Sequence, residues 1–174
     1  MSTVIDGSNS VTINSGAVLG ITSGTAVAST SGTSIDFTSI PSWVKRITVM
    51  FVGVSTSGTS NPQIQLGTGS TTYTTTGYGS VSVALSSTNV NASFSTGFGI
   101  KSALAAYQLS GAVVFNLQTG TTWVAQGMLN TSTAAEAFTV SGSIALAAAL
   151  TAVRITTVNG TDTFDAGSIN ILYE

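Results

Sequence analysis

Short segments rich in Val, Ile, Thr, Phe and Tyr recur along this chain about every ten residues, separated by clusters of Gly, Ser and Asn. Residues of the first kind favour extended strands, and the intervening clusters favour turns. Helix signals are weak, because β-branched residues and glycines are dense and no stretch keeps an apolar period of about 3.6 residues between caps. The pattern predicts an all-β fold, an antiparallel sandwich or barrel.

The clearest single strand is the segment from Arg46 to Val54, RITVMFVGV. Side chains alternate between the two faces of a strand. This alternation puts Ile47, Val49 and Phe51 on one face and Thr48, Met50 and Val52 on the other. Because both faces are apolar apart from Thr48, we expect a strand in the centre of a sheet.

A first hairpin is predicted between Ala112 to Leu117 and Thr122 to Leu129, around the turn signal Thr119-Gly120. Turn dipeptides of this kind, between two strand-like runs, favour antiparallel pairing of the runs that they connect. We therefore expect two adjacent strands here.

A second hairpin is predicted near the end of the chain. The segment Val153 to Val158 alternates and is followed by Asn159-Gly160, a dipeptide in which both residues tolerate positive φ. The last segment, Ser168 to Tyr173, places Ile169 and Ile171 on one face. We expect it to be a paired strand.

Two alanine-rich segments, Lys101 to Tyr107 and Ala145 to Leu150, are the best helix candidates, since alanine has high helix propensity. Their surroundings are strand-like, and strand is the favoured interpretation for both. Small side chains there would also allow close approach of two backbones at a symmetry axis between subunits.

The first 33 residues differ in composition from the rest of the chain. Short apolar groups such as Val11/Ile13 and Val18/Leu19/Ile21 are too sparse among Ser, Thr, Gly and Asn for an independent core. We interpret residues 1–33 as an extended N-terminal arm, packed on its own domain or on a neighbour, and residues 34–174 as the β-sandwich domain. The hexapeptide STSGTS occurs at 29–34 and again at 55–60, which we attribute to shared turn chemistry.

Length and charge narrow the functional classes. With 174 residues and a prior of about 150 per domain, one folded domain is expected. The formal net charge is -2 and the basic residues are scattered, so no nucleic-acid interface is expected. The longest apolar run, Ile144 to Val153, is far shorter than the roughly 20 residues of a membrane-spanning helix. The N-terminal MSTVIDG lacks secretory-signal features, so we expect synthesis in a cytoplasm.

Catalysis is disfavoured by the residue types that are missing. The chain contains no histidine, no cysteine, four basic residues and six acidic residues. Most acid-base, nucleophilic and metal chemistry depends on the absent types. No G-x-S-x-G sequence occurs, and a Ser/Lys pair is the remaining nucleophilic alternative. The glycines at Gly67-Thr-Gly69 and Gly97-Phe-Gly99 lack the third glycine of a phosphate-binding loop and are interpreted as turns or bulges.

Asp162 and Asp165 are the remaining catalytic candidates, because glycan cleavage needs only two carboxylates at a set separation. The same pair could hold a calcium ion, although no D-x-D-x-D-G pattern accompanies it. Both residues follow the Asn159-Gly160 turn, where aspartate is favoured for local backbone hydrogen bonds. We interpret them as structural turn residues, and we assign no catalytic, cofactor-binding or metal-binding residue.

Three aromatic residues, Tyr73, Tyr78 and Trp123, could stack on sugar rings, with burial in the core as the default interpretation. The triplets beginning at Asn91, Asn130 and Asn159 match the N-glycosylation pattern. In a chain so rich in Ser and Thr such matches arise by chance, and they are given no weight.

Several sequence blocks resemble small β-rich tail-fibre and virion structural proteins of tailed bacteriophages. The resemblance covers roughly residues 33 to 174 and is most specific at the two ends of that range. It rests on TSIDFTSIPSWVKRITVMF from Thr33, SGTS from Ser57, TGY from Thr76 and VRITTVNGTDTFDAGSINILYE from Val153.

The resemblance implies a non-enzymatic, homotrimeric virion component and does not say where on the particle it sits. We expect a jelly-roll-like antiparallel β-sandwich on the virion exterior. The first hypothesis is a fibre tip or tail-associated host-recognition module that contacts a host cell-surface glycan through the loops Ser55 to Pro62 and Gly67 to Gly79. The second is a capsid decoration (cement or head-fibre) protein, bound to other virion proteins through its arm. A polysaccharide-cleaving enzyme using Asp162 and Asp165 ranks below both.

Overall fold

The protein is an all-β molecule built from two antiparallel sheets. A computed structural model describes residues 12–13, 16–17, 20–102 and 104–174, and no helix occurs within these ranges. The strands are β1 (Thr12–Ile13), β2 (Gly16–Ala17), β3 (Thr22–Ser23), β4 (Val27–Ala28), β5 (Ser34–Phe37), β6 (Arg46–Thr56), β7 (Pro62–Gly67), β8 (Gly79–Leu85), β9 (Val90–Phe94), β10 (Phe98–Gly99), β11 (Leu109–Thr119), β12 (Thr122–Thr131), β13 (Ala137–Ala145), β14 (Ala152–Thr157) and β15 (Phe164–Tyr173).

The larger sheet has nine strands in the order β3-β15-β6-β11-β12-β13-β8-β9, with β4 also paired to β15. The smaller sheet has four strands in the order β10-β7-β14-β5, and β1 pairs with β2 separately. The inner faces of the two sheets share one apolar core. Phe98 of the smaller sheet and Phe115 of the larger sheet meet there, with ring centroids 5.3 Å apart. This is the arrangement of a β-sandwich.

Strand β6 lies between β15 and β11 in the larger sheet, which confirms the predicted central strand. Its residues Ile47, Val49 and Phe51 are buried in the core. The opposite face is open to solvent, since Val52 is 65% exposed. Beyond Arg46, the outer face of β6 is therefore largely apolar, as the sequence predicts, and none of the residues that the structure describes forms a layer over it.

The first predicted hairpin is confirmed. Strands β11 and β12 pair antiparallel, with Leu117 opposite Trp123 and Thr119 opposite Thr122. Gly120, at the turn, has a φ of 55°, a left-handed conformation that costs glycine little. The turn that the local sequence favours and the pairing of β11 with β12 are therefore consistent with each other.

The second predicted hairpin is wrong. Strand β14 lies in the smaller sheet between β7 and β5, whereas β15 lies in the larger sheet beside β6. The Asn159-Gly160 turn therefore connects the two sheets and does not join paired strands. The dipeptide sets the local chain reversal, but each strand pairs where its apolar face completes the core. The expectation that the final segment is a paired strand is confirmed by β15.

The strand interpretation of the two alanine-rich segments is also wrong. The described residues of 101–107 form a loop with a turn, in which the Tyr107 amide donates to the Leu104 carbonyl at 3.1 Å. Beyond Ala145, which ends β13, residues 146–150 form a loop. Leu146 and Leu150 are buried while all three alanines between them are exposed, so two buried leucines hold this loop in place without strand pairing.

The part of the N-terminal arm at residues 20–33 runs along β15 of the same chain. Strand β3 pairs with Leu172 and Tyr173, and β4 pairs with Ser168 and Ile169. Ser29 is fully buried, and its hydroxyl donates to the Ala166 carbonyl at 2.8 Å. The apolar residues Val11 and Val18/Leu19 lie outside the described residues. The attachment role of the arm remains a prediction.

Within the described ranges, the fold offers no helix of the length and apolarity needed to cross a membrane.

Candidate functional site

The outer face of the smaller sheet forms a polar groove with a volume of about 320 Å³, which we call the outer groove. Strands β7 and β14 provide its floor, and residues 33–34, Thr75, Thr96 and the 158–160 turn surround it. Its lining residues are Thr33, Ser34, Gln63, Gln65, Thr75, Thr96, Arg154, Thr156, Thr157, Val158, Asn159 and Gly160.

The alternation of β7, whose sequence is PQIQLG, explains why glutamines reach this groove. Ile64 and Leu66 point into the core and are fully buried. Gln63 and Gln65 point to the other face. They are nevertheless only 2% and 6% exposed, because neighbouring residues, including Thr96, pack over them. Two buried amides on the outer side of a sheet require hydrogen-bond partners.

Those partners come mainly from Thr96. Its hydroxyl donates to Gln63 Oε1 at 2.8 Å, and its carbonyl accepts from Gln65 Nε2 at 2.9 Å. Gln63 Nε2 also donates to the Thr157 carbonyl at 3.4 Å. Gln65 Oε1 accepts no hydrogen bond from any residue that the structure describes. This oxygen therefore has free accepting capacity at the groove floor.

Arg154 is fixed at one side of the groove by two residues that are distant in sequence. Its Nε and Nη2 donate to the two carboxylate oxygens of Asp36 at 2.8 and 2.7 Å, a bidentate pair. Its guanidinium carbon lies 4.0 Å from the centroid of the Tyr73 ring. The Nη1 group makes no hydrogen bond to the described part of the chain. The guanidinium plane is thus fixed while one donor edge stays available.

The ionisation of this triad is shaped by burial and pairing. Hydrogen bonding to Asp36 raises the pKa of Arg154 above its usual value, although partial burial opposes the shift. Partial burial, and then the nearby Asp36 carboxylate, raise the pKa of the Tyr73 phenol. A neutral phenol therefore lies beside a neutralised ion pair, which leaves the groove polar and without net charge.

Asp162 and Asp165, the catalytic candidates that the sequence suggested, contact different segments. Asp162 accepts from the Ser60 amide at 2.9 Å and from Asn159 Nδ2 at 2.7 Å. Asp165 accepts a hydrogen bond from the Ser55 hydroxyl. Asp162 thus joins the 57–61 and 158–163 connections, as the structural interpretation expects. Over the ranges that the structure covers, no three His, Cys, Asp or Glu residues group together as metal ligands.

The three candidate aromatic residues have different positions. Tyr78 and Trp123 are buried in the core, and Tyr73 is half-buried beside Arg154. The two loops predicted to contact a glycan lie at opposite ends of β7, since one connection precedes Pro62 and the other follows Gly67. The second loop alone reaches the outer groove, through Thr75.

The glycine pairs form no phosphate loop. Gly67 ends β7 and bridges to Tyr73, and Gly99 belongs to β10. Sequence reasoning missed Gln63, Gln65, Thr96 and the Arg154–Asp36 pair. The alternating glutamines of PQIQLG were a local signal for the first two residues. The ion pair joins residues 118 positions apart and had no local signal.

Comparison of the chain with protein-family models, with curated proteins and with solved structures gave no match. Any assignment of function therefore rests on the side chains that the two sheets present on their outer surfaces.

Proposed function

We propose that this chain is a non-enzymatic structural protein of a tailed-phage virion. In this proposal a trimeric, jelly-roll-like β domain on the virion exterior acts as a fibre tip or tail-associated host-recognition module. The resemblance of residues 33 to 174 to small phage tail proteins motivates the proposal. The observation that carries it is the outer face of the larger sheet, whose central part is uncharged and partly apolar and therefore suits association between copies.

That outer face spans six adjacent strands, β15, β6, β11, β12, β13 and β8. Alternation and register place Thr48, Met50 and Val52 outward on β6, with Ala112 and Val114 beside them on β11. The central outward positions of these strands carry no charged side chain; they lie within 168–172, 48–52, 110–116, 124–130, 137–143 and 81–85. The face is charged at one end, where Arg46, the first residue of β6, and Glu174 form an exposed ion pair beside Thr48 and Leu172.

Exposed apolar side chains lie near the centre of this face. Met128 is 56% exposed and stands opposite Ala112, which is next to the β6 strand that carries Val52. Monomeric proteins rarely expose large contiguous apolar patches. The centre of this face carries no charge with which to attract a charged partner, and at a net charge of -2 copies repel each other little.

The size of the face is adequate for a stable contact. Six strands spaced about 4.8 Å apart and about 20 Å long make a plane of roughly 600 Å². Each partner in a standard protein interface buries about 800 Å², which is of the same order. Two further copies of this chain, arranged around a threefold axis, are therefore the occupants that we propose.

Light scattering on the purified chain, with a matched pair of substitutions, tests self-association. Val52→Lys places a charge on the face, and Val158→Lys places the same charge on an exposed valine of the connection between the sheets. We expect a trimer mass for the wild type and for Val158→Lys, and a lower mass for Val52→Lys. A wild-type monomer at micromolar concentration, or equal behaviour of the two variants, would contradict the proposal.

A separate experiment determines where this chain lies on the particle. A fibre tip is present in few copies at the tail, whereas a capsid decoration protein covers the capsid in many copies. Quantifying this chain in intact particles, together with labelling of its position, distinguishes the two. Deleting residues 1–19 should prevent attachment to the particle while the isolated domain remains folded.

A further inference from the structure

The outer groove offers hydrogen-bonding groups of both kinds at neighbouring positions on its floor. Gln65 and Arg154 stand directly opposite each other on β7 and β14. Gln65 provides the uncommitted acceptor Oε1, and Arg154 provides the uncommitted donor Nη1, as judged over the described part of the chain. A hydroxyl group both donates and accepts, so a ligand rich in hydroxyls can satisfy the two side chains together.

The outer groove also carries no net charge. Arg154 is the only charged residue among its lining residues, and Asp36 neutralises it through two hydrogen bonds. A phosphate, sulfate or carboxylate ligand would meet no unpaired positive charge and would lie near the Asp36 carboxylate. A neutral ligand needs no positively charged partner and is not repelled by the Asp36 carboxylate.

The polar groups are fixed in place before any ligand arrives. Gln63 and Gln65 are nine-tenths buried or more, and Thr96 holds both amides. The bidentate contact with Asp36 and the Tyr73 ring fix the guanidinium group of Arg154. Side chains that are already ordered lose little entropy on binding. A volume of about 320 Å³ is at the lower end of the range for small-molecule sites, about 300–1,000 Å³.

A peptide is the competing ligand. Extended peptides usually add to the edge of a sheet, where unpaired backbone groups provide their affinity. The floor of the outer groove is formed by β7 and β14, which pair with each other, so side chains and not backbone edges face the ligand. That arrangement favours recognition of hydroxyl groups over peptide backbone.

We infer that the outer groove binds a neutral saccharide, with Gln65 Oε1 and Arg154 Nη1 as its principal hydrogen-bonding partners. This inference deepens the host-recognition part of the proposed function, on which its biological role rests. The site does not depend on self-association, since the groove lies on the smaller sheet and the proposed contact face lies on the larger sheet.

Nuclear magnetic resonance on the wild-type chain gives the first test. The probes are neutral gluco-, galacto- and manno-oligosaccharides at up to roughly 10 mM, with sulfated and sialylated oligosaccharides for comparison. We expect at least one neutral probe to shift the side-chain resonances of Gln65 and Arg154. The inference is overturned if no neutral probe shifts them, if the anionic probes bind more tightly, or if the shifts map elsewhere.

Substitutions give the second test. Gln65→Leu removes the acceptor and is expected to weaken binding about tenfold, whereas Gln118→Leu, at the exposed end of β11 and outside both the groove and the proposed contact face, should leave binding unchanged. Thr75→Tyr, at the exposed rim, should obstruct the groove without disturbing the buried amides. Equal affinity in wild type, Gln65→Leu and Thr75→Tyr would overturn the inference, even if the chain is a trimer. Saccharide binding by a monomeric chain would support the inference about the groove and would contradict the proposed trimer.

Discussion

The hydroxyl of Tyr78 accepts a hydrogen bond from the backbone amide of Leu66 at 2.8 Å, at the edge of the apolar core. It also donates to the carbonyl of Thr74 at 3.1 Å, so one phenol joins β7 to the segment that follows it. Tyr78 is only 4% exposed, and its ring meets Phe98 edge-on with centroids 5.0 Å apart. A residue considered for ligand stacking is therefore a buried structural connection.

Removal of this hydroxyl should destabilise the fold without changing its packing. Tyr78→Phe keeps the ring against Phe98 but leaves the buried Leu66 amide without a partner, at a cost of about 1–3 kcal/mol. For a chain of this size each kcal/mol lowers the melting temperature by about 2–4 °C. Calorimetry on the variant should show that decrease, and an unchanged melting temperature would show that the hydrogen bond contributes nothing.

Stability should depend on pH mainly in the alkaline range. Burial raises the pKa of Tyr78 to about 12, although the hydrogen bond from the Leu66 amide partly opposes the shift. The neutral phenol is thus favoured by folding, so its contribution is complete below the unfolded pKa of about 10 and is lost as the pH rises toward 12. With no histidine in the chain, we expect a nearly flat melting temperature from pH 5 to 9.

Tyr78→Phe provides the control for that pH dependence. Between about pH 10 and 12 the variant should lose up to about 2–3 kcal/mol less than the wild type, because two pKa units correspond to that free energy. The variant keeps some alkaline sensitivity, since the pKa of Tyr73 is also raised. Identical alkaline slopes, measured by denaturant titration, would contradict the assignment to Tyr78.

Gly127 is expected to be intolerant of any side chain. A Cβ atom there would lie 2.5 Å from the Ala112 carbonyl oxygen and 2.7 Å from the Val113 Cα, across the β11–β12 pair. Backbone atoms in the middle of a sheet cannot move aside at low cost, so Gly127→Ala should reduce stability by several kcal/mol or prevent folding. Gly79→Ala is the matched control, since nothing lies within 4 Å of its Cβ position. Similar melting temperatures for the two variants would be inconsistent with this sheet register.

Asp162 should act in stability and not in catalysis. Asp162→Ala removes hydrogen bonds from the Ser60 amide and from Asn159 Nδ2, and should cost about 1–3 kcal/mol. Thr161→Ala, at an exposed neighbouring position, should cost much less. The measurement is chemical denaturation of both variants. If Asp162→Ala left stability unchanged but abolished degradation of a polysaccharide, the enzymatic interpretation would replace the structural one.

Local sequence patterns predicted those parts of the fold in which strand, turn and pairing partner are adjacent in the chain. The alternation of β6 identified its buried face, and Thr119-Gly120 identified the β11–β12 hairpin. Asn159-Gly160 is an equally strong turn signal, yet the strands on either side of it belong to different sheets. A dipeptide fixes backbone dihedral angles over a few residues and carries no information about which sheet needs the next strand.

The candidate site also combines features that local sequence predicts with contacts that only the tertiary structure makes. The glutamines of PQIQLG could have been assigned to one face of a strand, but their burial depends on Thr96, some 31 to 33 residues away. The partners of Arg154 are more remote: Asp36 lies 118 positions away and reaches it only because β5 pairs with β14.

By itself the sequence determined the all-β class, the alternation of individual strands and the scarcity of ionisable groups, since each depends on residue type and on near neighbours. The tertiary structure alone decided which strands share a sheet, that one turn crosses between sheets, and that Gln65, Arg154, Asp36 and Tyr73 meet on one surface. The physical reason is that burial of apolar area is not directional. It selects the arrangement that completes the whole core, and segments that are far apart in the chain meet as a result.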